Sequence, residues 1–185
     1  METVSNNRSF WLESLAERTK VILPEAVGFY KQNCMVCFHR NGYTSGVSIA
    51  VHYNGSVTHF HIFWDGEVTD QMLKAYTELT RATDMAACAI ALVLISELTQ
   101  FIAVEQSAIG TTIDYYLATH PVADDLIFNH TARLEVSGIL TENEGNTVDG
   151  RIREKTNRLV SEGDLRDFIA VVEFSKPWSK MVEHE

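Results

Sequence analysis

The sequence predicts an α+β fold in one domain, and three patterns carry that expectation. Asn54-Gly55 lies between two runs of β-forming residues, which marks a two-residue hairpin turn because both turn positions need positive φ. Residues 69–100 carry apolar side chains at helical spacing. Beyond residue 100, short β-rich runs alternate with one helical run. A chain of 185 residues is of ordinary size for one domain and can bury a substantial core.

In order along the chain, residues 9–32 read as helical, with Trp11, Leu12 and Leu15 on one face, Val27 and Tyr30 on a later one, and a break or restart at Pro24. Residues 34–39 and 46–53 are rich in β-formers, and residues 56–64 form the partner strand of the hairpin. The helical stretch 69–100 is expected to bend near Thr83-Asp84. Met72, Leu73, Tyr76 and Leu79 make one stripe; Ala86, Ile90, Val93 and Leu94 make a wider one, as in a helix buried on most sides.

Strands are expected at 101–106, 111–118 and 131–140, with a turn at 107–110 and a loop holding Pro121, Asp124 and Asp125. Asn146 is a candidate cap for a helix reaching Val160, with Asp149 in its first turn. Residues 167–174, apolar on both faces, read as a central strand. The hairpin and the N-terminal helix thus extend a helix, three strands, helix, strand core.

Composition narrows the function. Hydrophobic residues make up 45% and charged residues 22%, ordinary for a globular protein. The formal net charge of −10 makes long-range attraction to nucleic acid weak, which argues against a general DNA coat but leaves room for a local basic face or a metal. The apolar run 85–95 is shorter than the roughly 20 residues a bilayer needs, so no membrane association is expected. Three cysteines without framework spacing fit a reducing, cytoplasmic setting. No Gly-rich phosphate loop, dinucleotide fingerprint or nucleophile elbow is present.

Side chains alternate across a strand. Over residues 131–140, Leu134 and Val136 are expected on the core face, with Arg133, Glu135 and Ser137 opposite. Thr112, Asp114 and Tyr116 share a face of the preceding strand. If these strands pair with Asp114 near Glu135, two carboxylates converge and can hold a hard cation such as Mg²⁺. Such a metal activates water and stabilises charge on a phosphate.

Gly110-Thr-Thr-Ile-Asp114, followed by Arg133-Leu-Glu135-Val-Ser137-Gly138, resembles the paired motif of the PD-(D/E)XK nuclease superfamily. The resemblance covers about residues 84–174, and the αβββαβ order fits the restriction-endonuclease-like core. It implies Asp114 and Glu135 as ligands of Mg²⁺ or Mn²⁺, with Glu97 as a further acid from the preceding helix and Glu105 as a competitor for that role. Ser137 stands where the family carries a lysine, and serine cannot supply that cation. Arg133 shares the face of Glu135, and the following helix carries Arg151, Lys155 and Arg158 at i, i+4 and i+7. That basic face is expected either to meet a DNA backbone or to send Lys155 into the site.

The expected function is a divalent-metal-dependent nuclease-like protein cleaving DNA phosphodiester bonds through an atypical active site. Two other readings stay open: a catalytically silent nuclease-fold module binding protein or nucleic acid, and an acidic accessory protein of unrelated fold. A protein partner or a homodimer is compatible with any of them. Two further clusters are read as structural. His52, His59 and His61 share a hairpin face taken as polar outer surface, and Cys34 and Cys37, near His39, lack the second ligand pair of a zinc site.

Overall fold

The Asn54-Gly55 turn forms as its chemistry requires, with φ of 50° and 74°. It joins β2 (Val47–Tyr53) to β3 (Ser56–Phe63), and His52 pairs with Val57 across it. The computed structural model describes residues 7–108, 110–120, 129–159 and 165–184. The loop expected around Pro121, Asp124 and Asp125 and the helix end at Val160 lie outside these.

Among the described residues eight strands form one mixed sheet. Besides the hairpin they are β1 (Asn7–Trp11), β4 (Phe101–Gln106), β5 (Tyr115–Thr119), β6 (Ala132–Ile139), β7 (Arg166–Glu173) and β8 (Trp178–His184), in the order β1-β3-β2-β8-β7-β6-β5-β4. β4, β5 and β6 are successively antiparallel, and β6 and β7 are parallel. The helices are α1 (Leu15–Arg18), α2 (Val27–Arg40), α3 (Asp70–Ala75), α4 (Leu79–Leu98) and α5 (Val148–Arg158). The parallel step from β6 to β7 is bridged by α5, because parallel neighbours need a crossover.

Several expectations are corrected. Residues 9–32 are not one helix: Phe10 turns into the core and Trp11 out of it as β1 pairs parallel with β3, and α1 and α2 follow separately. Residues 34–39 lie in α2, not in a strand. Cys34, Met35, Val36, Cys37 and Phe38 are all buried, and so short an apolar run carries no period that separates helix from strand. The long helical stretch breaks at residues 76–78, before Thr83-Asp84, with Thr69 Oγ1 capping α3 and the Glu78 carboxylate capping α4. α5 is capped by Thr147, whose Oγ1 accepts from the Gly150 N–H at 3.0 Å, and not by Asn146.

β8 was not foreseen. It pairs with β7 on one side and β2 on the other, so the N-terminal hairpin is part of the main sheet and not an appendage. One sheet face packs on α2 and α4 and holds the main core. On the other, α5 covers β6, β7 and β8 through a smaller cluster that includes Ile139, Val148, Ile152 and Val171. α4 is long and apolar enough to pass for a membrane span, yet it is largely buried against α2 and the sheet as a core helix.

Candidate active site

β6 is buried at every position, because helices cover both of its faces. Leu134 and Val136 join the main core. Gly138 lies under α4, where an added Cβ would come within 2.6 Å of the Thr83 carbonyl oxygen, so only glycine allows this approach. Arg133, Glu135 and Ser137 face α5, and each must find a partner, since an unmatched buried charge is costly.

Each does. Arg133 and Asp167 of β7 form a bidentate pair, Nε to Oδ1 at 2.6 Å and Nη2 to Oδ2 at 2.8 Å. Lys155 Nζ donates to Glu135 Oε1. Arg151 donates from Nη1 to Ser137 Oγ at 3.1 Å and from Nε to Asn146 Oδ1 at 2.8 Å. Arg151 and Lys155, one turn apart on α5, therefore point into the sheet.

Asp114 sits where β5 parts from β6. Its N–H donates to the Leu134 carbonyl at 2.9 Å, and its Oδ2 accepts from the Val136 N–H at 2.7 Å. The carboxylate thus caps a β6 amide that β5 no longer pairs. This position sets it directly against the Glu135 carboxyl. Burial pushes Glu135 up to about 7; the Lys155 ammonium opposes that rise and Asp114 adds to it.

A third acid joins from α4. Asp84 is exposed by surface area, yet its flanking walls desolvate it enough to raise its carboxyl above the ordinary range. Arg151 and Lys155 oppose that rise, and Asp114 adds to it. Below the acids lies Cys88, whose thiol is pushed up to about 12, chiefly by burial. Tyr115, hydrogen-bonded to it, is also raised by burial, so the floor of the site is neutral. Sequence reasoning missed Asp84, naming it only at the expected bend of the helical stretch. The available signal was a lone carboxylate at the start of the apolar run of α4.

The other candidates lie elsewhere. Glu97 is about 20 Å further along α4, at ~1.5 Å per residue, and pairs with Arg8 and Arg18. Glu105 pairs with His130 at 2.9 Å. Arg133 is committed to Asp167 and does not replace the missing lysine. Arg158 pairs with Glu154 on the exposed side of α5, so the three cations do not form one outward stripe. His52 packs on Trp178 and His61 near Phe63, while the three cysteines are buried thiols.

Among the described residues no three His, Cys, Asp or Glu side chains come together as a metal cluster. Asp114 and Glu135 nevertheless offer an all-oxygen donor pair whose mutual repulsion a cation would relieve, and this donor set suits a hard divalent ion. No protein-family model matches the chain, and neither a curated protein nor a solved structure does so.

Proposed function

We propose that this protein is a divalent-metal-dependent nuclease-like enzyme that cleaves phosphodiester bonds in DNA, built on a restriction-endonuclease-like core from α4 to β7. The observation that carries the reading is the contact of Asp114, Glu135 and Lys155, which puts two carboxyl groups and an ammonium at one point between β5, β6 and α5. The α4-β4-β5-β6-α5-β7 order supports it.

Asp114 and Glu135 would hold Mg²⁺ or Mn²⁺, which when bound would supply Lewis-acid polarisation and a water of lowered pKa. Lys155 stands in for the lysine absent at Ser137: its ammonium, reaching Glu135 from α5, orients the water and offsets negative charge at the phosphate. Ser137 Oγ already accepts from Arg151 and acts only to position that guanidinium.

The test is titration calorimetry with Mn²⁺, followed by cleavage assays on linear, supercoiled and single-stranded DNA. Wild type binds the ion and cleaves; Asp114→Asn and Glu135→Gln lose most of the binding without unfolding. Lys155→Met lowers cleavage by about 100-fold, the scale of removing one charge-stabilising donor, with metal affinity largely kept. Absence of Mn²⁺ binding to wild type would reject the site. One observation favours a second reading, a silent binding module: Glu135, Ser137, Arg151 and Lys155 already satisfy one another. Metal binding with no cleavage of any substrate would select it.

A further inference from the structure

A cavity of about 390 Å³ opens beside the acid cluster, between the first turns of α4, the end of β6 and the start of α5. Its walls include Leu79, Thr80, Asp84, Thr141, Asn146 and Arg151. Arg151 belongs to both spaces: it lines the cavity and donates to Ser137 Oγ at 3.1 Å, on the same face of β6 as Glu135. Whatever fills the cavity therefore lies next to the group that reacts at the acids.

The lining is chemically mixed. Leu79 and Leu140 offer apolar wall, Thr80 and Thr141 hydroxyls, and Asn146 an amide. Among the described residues Arg151 makes two side-chain hydrogen bonds, to Ser137 and Asn146. A guanidinium carries more N–H donors than that, and the rest remain for an anion. An apolar wall, several neutral hydrogen-bonding groups, one cation and the Asp84 carboxyl, an acceptor for the N–H or O–H of a base or sugar, match a base, a sugar and a phosphate held on Arg151. The volume is at the small end of ligand sites, enough for one nucleotide and too little for a base pair.

We propose that this cavity binds the single unpaired nucleotide that flanks the scissile phosphate, with the phosphate of that nucleotide on Arg151. The inference rests on the nuclease reading and narrows its substrate class to strands that present an unpaired nucleotide, at an end, in a gap or in single-stranded DNA. Duplex substrates must unpair first and react more slowly.

The experiment uses the full chain. Binding of the four deoxynucleoside 5′-monophosphates and of inorganic phosphate is measured by calorimetry in EDTA, so that no metal contributes. Cleavage of a single-stranded and a blunt duplex oligonucleotide is measured in parallel with Mn²⁺. Wild type binds at least one mononucleotide saturably and more tightly than phosphate, and that mononucleotide inhibits cleavage. Arg151→Met weakens binding by about tenfold, the loss of one hydrogen bond to a charged group. Thr141→Trp and Thr80→Phe each fill the cavity and abolish it; Thr80 is exposed, so at least that variant keeps the wild-type circular dichroism. Arg158→Met, outside the cavity, binds as wild type does. Cleavage without mononucleotide binding, or binding that survives both filling variants, overturns the cavity assignment and leaves the nuclease reading standing. Equal affinity for phosphate overturns the nucleotide as ligand. Mononucleotide binding without cleavage supports the cavity and overturns the enzyme.

Discussion

Glu135 holds a carboxyl group where burial and a neighbouring acid favour its proton, and its pKa rises from 4.5 to about 7. Across that window the folded state binds more protons than the unfolded state, so this group lowers stability as pH rises. Stability is expected to fall by roughly 1–3 kcal/mol between pH 4 and pH 7.5 through this residue alone. Glu135→Gln flattens that part of the profile in urea melts; an unchanged slope would contradict the raised pKa. The same proton competes with a metal, so Mn²⁺ affinity climbs about tenfold per pH unit below 7 and levels off above it. At this scale the sequence was partly legible. Alternation put Arg133, Glu135 and Ser137 on one strand face, because strand period depends only on backbone geometry, whereas the approach of Asp114 to Glu135 needed a register that alternation does not fix. Lys155 reaching the site was one of two outcomes expected of the basic face, and choosing between them, like placing Asp84 and Arg151, depends on where two helices dock on the sheet, which no local pattern records. Arg133 was misjudged for the same reason: its partner, Asp167, lies on a strand that is distant in sequence.

Among the elements, α4 and β6 meet at one glycine. Gly138→Ala would set a methyl group 2.6 Å from the Thr83 carbonyl, a backbone atom that yields only if the helix moves. Overpacking of this kind costs about 1–3 kcal/mol, and since α4 also carries Asp84, mononucleotide and Mn²⁺ binding are expected to weaken with it. A Gly138→Ala protein with wild-type melting temperature and affinity would mean the contact is not close. Gly55→Val is the matching test for the hairpin: φ of 74° is strained for a β-branched residue, and a fall in melting temperature is expected. The hairpin was legible because Asn-Gly encodes its own geometry. The β4, β6 and β7 runs were legible because each spans a period or a burial that its own residues express. β1 was not, since five residues with one buried phenylalanine and one exposed tryptophan form a strand only when β3 lies alongside. α2 was misread because its buried run carries no period.

For the whole molecule, β8 decides whether the sheet is one object or two. It lies between β2 and β7, and with it the β1-β3-β2 half and the β7-β6-β5-β4 half share a single hydrogen-bonded ladder. The two halves also share the main core, where Phe60 and Ile62 of the hairpin belong to the same cluster as Phe168 and Val172 of β7. Cooperative unfolding in one step is therefore expected, because neither half can open without exposing the other's buried surface. The three tryptophans make this measurable. Trp11, Trp64 and Trp178 all lie in or beside β1, β3 and β8, so fluorescence reports the hairpin half, whereas far-UV circular dichroism weighs every helix and strand. In a urea titration the two signals should share one midpoint. Met181, on β8 and only 1% exposed, belongs to that common core, and Met181→Ala should cost about 2–5 kcal/mol through the cavity it leaves. Both signals should shift together to lower urea. If fluorescence moved ahead of circular dichroism, the hairpin half would be a separately unfolding unit, and β8 would be a seam in the sheet.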